Sequence, residues 1–248
     1  GMIILFHGYM EEKSAMLARA NNLLRMGYDV LLVDFMGAGG SYGVQTTIGF
    51  LEAENVKSAY TYATSELKEK NIILFGFSMG AAAIMKAQHD YNLPVKGIIL
   101  EAPYGTFKGT VEKRLAKYNI PHWPISDLFT FWTGTINGFN AFKANPEDYG
   151  KKITVPVLLM CGAQDQYIPT TETELIFEQF GSKQKRLKIF PKSKHESYLK
   201  KHRREWSTTT KEFLQEVDSV SAYTNNCPLY TSPSTRDLSI PLMPSTAE

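Results

Sequence analysis

The chain has 248 residues, of which 43% are hydrophobic and 21% charged, with a formal net charge of +2. This fits one α/β domain with a sizeable core better than two domains, and it excludes a general attraction to nucleic acid. The chain holds no apolar run of about 18 residues, so it contains no transmembrane helix. The two cysteines make no disulfide framework; Cys161 lies in an apolar run and Cys227 in a polar tail, which allows a reducing, cytoplasmic setting.

The apolar run Met2–Phe6 predicts a first strand ending at His7-Gly8-Tyr9. A helix follows, with Ser14 as cap, Leu17, Ala20 and Leu24 on one face, and Gly27 as terminator. Asp29–Asp34 predicts a second strand, entering the glycine-rich loop Gly37–Ser41. Thr46 or Thr47 can cap a long helix reaching Lys70, with Val56, Ala59, Ala63 and Leu67 inward.

Ile72–Phe75 is a third strand run, followed by Gly76-Phe77-Ser78-Met79-Gly80 and the small residues Ala81 to Ala83. Strand, sharp turn and helix with a serine at the apex form a nucleophile elbow, in which glycines flank the serine because a Cβ there would clash. The turn lifts the Ser78 hydroxyl above the strand end. It also sets the Met79 N–H at a helix start, where unpaired donors and the helix dipole suit a developing oxyanion.

Gly97–Leu100 is a fourth strand, closed by Glu101-Ala102-Pro103. Residues 107–152 read as an irregular, aromatic insertion containing Tyr118, Trp123, Phe129, Phe131, Trp132, Phe139 and Phe142. Ile153–Cys161 is a fifth strand, Thr171 and Glu174 a capping box for a helix that Gly181 ends, Arg186–Phe190 a sixth strand, and Ser197–Val217 a terminal helix. The Ser/Thr/Pro-rich Ser219–Glu248 reads as a disordered or loosely attached tail. Strand runs alternating with helices predict a mostly parallel, doubly wound sheet of about six strands. Ligands in such sheets bind at the carboxyl strand ends, a rim that His7, Ser41, Ser78, Tyr104 and Asp165 can share.

A serine nucleophile needs a base, and the base an orienting carboxylate. Of five histidines, His89 and His202 fall in helical patterns, and His122 stands between Pro121 and Trp123. His7 reads as a brace for its loop, and His195, after the last strand, reads as the base. Asp165, past the fifth strand, is the candidate acid, with Glu101 as competitor. The order Ser78…Asp165…His195 is that of α/β-hydrolases.

The chain resembles the α/β-hydrolases, close to the bacterial esterase-like branch related to the prolyl-oligopeptidase and dienelactone hydrolase groups. The resemblance rests on Leu5–Met10, Gly27–Gly43, Thr47-x-Gly49-x-x-Glu52, Gly76–Ala81, Ala102–Phe107, Val155–Pro169 and the Lys194-His195 loop. It implies Ser78 as nucleophile, Asp165 as acid, His195 as base, and the Tyr9 and Met79 N–H groups as oxyanion hole. It also implies a lid over the nucleophile at about 107–152. With it comes an apolar pocket, for which Met10, Tyr104, Trp123, Phe129 and Trp132 are candidates. Residues 1–218 would form the catalytic domain. Three features depart from the family: Met36 stands where Arg is usual, two strands expected before Met2 are missing, leaving Asp29–Asp34 as an open edge, and the tail matches nothing recognised.

The expected activity is hydrolysis of small-molecule carboxylic esters, with thioesters as a related class, through an acyl-enzyme and without cofactor or metal. A peptidase with the same triad and a non-catalytic ligand-binding protein on this fold are the alternatives. Between Lys183 and Arg204 there are ten Lys/Arg and one acid, Glu196, a solvated basic face or an attraction for an anionic substrate or membrane surface.

Overall fold

The computed structural model describes residues 1–226, so the tail beyond Asn226 lies outside the described residues. The strands are β1 (Met2–Phe6), β2 (Asp29–Val33), β3 (Ile72–Phe77), β4 (Gly97–Glu101), β5 (Val157–Gly162) and β6 (Lys185–Phe190). They form one six-stranded sheet in the order β2-β1-β3-β4-β5-β6, and every pairing is parallel. Between them run α1 (Leu17–Arg25), α2 (Glu52–Ser65), α3 (Met79–Tyr91), α4 (Phe107–Lys117), α5 (Ile125–Asn137), α6 (Pro146–Tyr149) and α7 (Thr170–Gln179); α8 (Tyr198–Lys201) and α9 (Arg203–Asn226) follow β6.

The near-continuous apolar strands β1, β3, β4 and β5 are buried on both faces, as a helix-covered parallel sheet requires, while β6 is mostly half-buried. Alternate residues divide between two cores. Ile3, Leu5, Ile73 and Phe75 pack with Leu23, Trp206 and Phe213 of α1 and α9. Ile4, Phe6 and Leu74 pack with Val56 and Ile84 of α2 and α3. β2 is an edge strand and only half-buried from Val30 to Val33.

Several local expectations need correction. Leu24 and Leu67 are half exposed, and α2 starts at Glu52 and ends at Ser65. Thr47 Oγ1 does accept from the Leu51 N–H at 2.7 Å. Ser14 caps no helix: it lies within a short 3-10 turn, Lys13–Met16, that leads into α1, and its hydroxyl donates to Glu12. α7 begins at Thr170 without a side-chain cap; Pro169, with its fixed φ, sets the start in place of the expected capping box. The terminal helix continues to Asn226, through the first residues assigned to the tail.

The largest correction concerns 107–152, which is helical rather than irregular. Thr106 caps α4 by accepting from the Gly109 N–H at 3.0 Å, and Gly138 ends α5 at φ 71°. The inward face of α5 is Ser126, Thr130 and Gly134, while Leu128, Phe129, Phe131, Trp132 and Ile136 are each more than half exposed. A Cβ on Gly134 would lie 2.5 Å from the Phe139 carbonyl oxygen. The helix therefore packs closely through its small residues and turns its large apolar ones outward.

Candidate active site

The turn after β3 holds Ser78 at φ 50°, ψ −110°, a strained conformation for a residue with a Cβ. Its N–H donates to the Glu101 carbonyl at 2.8 Å. Glycine is required on both sides. A Cβ on Gly76 would meet the Ala81 nitrogen at 2.5 Å, and one on Gly80 would meet the Phe6 carbonyl oxygen at 2.4 Å. The turn is thus pressed against the end of β1, where the His7-Gly8-Tyr9 loop departs.

His195 arrives on the loop after β6, between Ser78 and Asp165. Its Nδ1 lies 2.7 Å from Asp165 Oδ2 and its Nε2 lies 3.0 Å from Ser78 Oγ. The Asp165 side chain is fully buried, and its Oδ1 accepts from the Tyr167 and Ile168 N–H groups at 2.8 and 3.0 Å. A carboxylate can only accept, so Nδ1 carries the proton and Nε2 is left to accept from the serine hydroxyl. The imidazole ring is flanked by Phe77 at 5.4 Å and Tyr167 at 5.9 Å between centroids. This arrangement can draw a proton from a serine oxygen and hold the imidazolium that results.

Glu101 is elsewhere engaged. Its carboxylate is completely buried, accepts from Arg19 Nε at 3.0 Å and from Trp206 Nε1 at 2.5 Å, and pairs with an Arg19 that is 3% exposed. His7 is also fully buried. The Phe35 N–H donates to its Nε2 at 3.1 Å, so its Nδ1 carries the proton and donates to the Gly8 carbonyl at 2.8 Å. Both ring nitrogens are occupied in bracing the loop. The glycine loop after β2 is anchored without an arginine: Asp34 accepts from the Lys13 N–H and Nζ, each at 2.7 Å, and from the Gly40 N–H at 3.2 Å, while the Met36 N–H donates to Asn55.

Glu52 fastens the segment before α2. Buried, it accepts from Thr47 N, Thr47 Oγ1, Gly49 N and Thr46 Oγ1 at 2.6 to 2.8 Å. This presents the Ile48 carbonyl to the Tyr104 hydroxyl, which donates to it at 2.6 Å. Burial holds the Tyr104 phenol well above its usual range, so it remains neutral.

Two clefts meet at Ser78. One, of about 580 Å³, is lined by Arg19, Phe77, Arg114, Glu196 and Lys200 among others. The second, of about 400 Å³, is lined by Ile48, Tyr104, Thr110, Tyr118, Tyr167 and Ile168. Tyr9, Ser78, Arg114 and His195 border both. Of the pocket candidates from sequence, Tyr104 lies in the second cleft. Met10 is 87% exposed and borders a separate hollow beside Met36 and Gly37. Trp123, Phe129 and Trp132 line neither cleft, because the insertion directs them to solvent. Arg19, Arg114 and Tyr167 were missed. No local signal in the sequence shows that Arg19 or Arg114 faces the serine.

Solved structures with this fold include esterases. The Pyrococcus furiosus esterase Pf2001 superimposes with a TM-score of 0.71 at 23% identity, covering 87% of this chain and 82% of that one. The esterase EaEST from Exiguobacterium antarcticum gives a TM-score of 0.64 at 22% identity, covering 86% and 91%. The fold is that of the α/β-hydrolases. The protein YqkD of Bacillus subtilis is 28% identical over 219 residues, 87% of this chain and 72% of its own length. The family model Hydrolase_4, described as serine aminopeptidase, S33, matches residues 1–123 and 130–201, and the chain belongs to that hydrolase family.

Proposed function

We propose that the chain is a serine hydrolase cleaving carboxylic esters, with thioesters as a related class, through an acyl-enzyme. The observation that carries this reading is the single imidazole bridging a serine at 3.0 Å and a buried carboxylate at 2.7 Å. In this mechanism Ser78 Oγ forms a bond to the substrate carbonyl carbon as its proton passes to His195 Nε2, and Asp165 stabilises the imidazolium. The oxyanion accepts hydrogen bonds from the N–H groups of Tyr9 and Met79. The amide of Met79 opens α3, where the helix supplies no acceptor. Collapse breaks the bond to the leaving oxygen, which takes the proton from His195, and water repeats the sequence on the acyl-enzyme. Residues 1–218 are the catalytic domain in this reading, with 107–152 as a lid-like insertion whose α4 contributes Thr110 and Arg114 to the cleft walls.

The esterases among the similar structures order the substrate classes, esters first. The description of the family as serine aminopeptidase favours amide cleavage as a second reading. Labelling with a fluorophosphonate probe, blocked by Ser78→Ala, tests the nucleophile. Rates on p-nitrophenyl esters against aminoacyl p-nitroanilides separate the two substrate classes, and an unlabelled wild-type protein would mean a non-catalytic binding role.

A further inference from the structure

The two clefts at Ser78 differ in chemistry. The smaller one is walled by Ile48, Tyr104, Tyr118, Tyr167 and Ile168, an apolar and aromatic surface. The larger one carries four cations, Arg19, Arg114, Lys200 and Lys201, against two acids, Glu11 and Glu196.

Three of these six charges are already committed to a partner of opposite sign. Arg19 is paired with the buried Glu101. Lys201 and Glu196 are paired with each other at 2.7 Å, and with the Lys194 N–H this holds the Glu196 carboxyl below its usual range. Glu11 accepts from the Gly8 N–H at 2.9 Å. Among the described residues, Arg114 and Lys200 have no carboxylate at ion-pair distance, while the Arg114 guanidinium lies 5.4 Å from the centre of the Tyr9 ring, a contact that orients it. The wider basic stretch does not share this property uniformly: Lys188 pairs with Glu205 and Arg186 with Glu216.

We propose that Arg114, supported by Lys200, binds an anionic group of the substrate, a carboxylate or a phosphate. The preferred substrates are then esters with an apolar group in the smaller cleft and an anion in the larger. This rests on the reading of Ser78 as nucleophile. A guanidinium presents paired N–H donors that match either anion. Arg114 and Ser78 line the same two clefts, so an anion held by Arg114 belongs to a molecule seated at the serine rather than on a distant surface.

The test compares kcat/KM on ester pairs that differ only in charge. Mono-p-nitrophenyl glutarate against p-nitrophenyl pentanoate puts a carboxylate on the acyl side. 3-(Butyryloxy)benzoate against m-tolyl butyrate puts it on the alcohol side. 3-(Butyryloxy)phenyl phosphate against the same tolyl ester tests phosphate. At least one anionic ester is expected to exceed its neutral match by about ten- to a hundredfold, the range of a hydrogen bond to a charged group. That ratio should collapse in Arg114→Gln, recover in part in Arg114→Lys, and shrink as salt screens exposed charge. Ratios near one on all three pairs, or a ratio that survives Arg114→Gln, would overturn the inference. Probe labelling of the same samples separates the two readings. An enzyme that labels at Ser78 and cleaves neutral esters without charge preference leaves the hydrolase reading intact and ends this one.

Discussion

Gly80 and Phe6 approach so closely that a Cβ on Gly80 would stand 2.4 Å from the Phe6 carbonyl oxygen, and 2.8 Å from that of His7. The obstructing atoms are backbone at the end of a central strand and cannot swing aside. Gly80→Ala should therefore destabilise the protein by about 1–3 kcal/mol or more, the cost of overpacking, and slow probe labelling in whatever remains folded. Denaturant midpoint and labelling rate measure the two effects; a variant as stable as the parent would show that the turn can relax.

Ser78→Ala should abolish esterase activity and probe labelling while leaving the thermal midpoint close to the parent. Loss of such a nucleophile costs on the order of 10⁴–10⁶ in kcat. Retention of more than about a tenth of the activity would remove Ser78 from the mechanism.

Asp165 and Glu101 should separate activity from stability. Asp165→Asn keeps its oxygen on the Tyr167 and Ile168 N–H groups and turns an amide NH2 toward His195 Nδ1, which selects the wrong imidazole tautomer and is expected to lower kcat by about 10⁴. Glu101→Gln leaves the guanidinium of Arg19 buried without a counter-charge, which costs about 3–5 kcal/mol of stability, with activity per folded molecule retained. If Glu101→Gln loses orders of magnitude in kcat and Asp165→Asn little, the acid has been assigned to the wrong residue.

Phe129→Ser and Trp132→Ser should each change stability by less than about 0.5 kcal/mol, as surface substitutions do. Both rings are more than half exposed and border neither cleft at Ser78. A fall in melting temperature of several degrees would mean that these rings are covered in solution.

Burial pushes the Cys161 thiol up to about 11. The unfolded thiol, near 8.5, releases its proton first, so over the window from about 8.5 to 11 the folded chain binds more protons and stability falls as pH rises. In a Cys227→Ser background the native protein should resist a thiol reagent at pH 8 and react once unfolded. Prompt reaction of the native form would contradict the burial.

Local chemistry decided what could be read in the sequence. The apolar runs of β1, β3, β4 and β5 became parallel strands because they are buried on both faces. Gly76-Phe77-Ser78-Met79-Gly80 became a strand–turn–helix in which the clash that selects Gly76 arises within a few residues, at Gly80 and Ala81, whereas the one that selects Gly80 comes from Phe6 and His7 across the sheet. The positions of Asp165 and His195 just past strand ends were legible for the same reason, since parallel strands deliver such loops to one rim. Other features depend on contacts between segments far apart in the chain. Glu101 ends β4 and Asp165 lies just past β5, and only packing showed that the first meets Arg19 and Trp206 while the second meets His195. The aromatic insertion concealed its helices because α5 buries small residues and exposes large ones, the reverse of the pattern that marks an inward face. Arg114, an ordinary charge on a helix, acquires its place beside Ser78 only when α4 folds over the sheet.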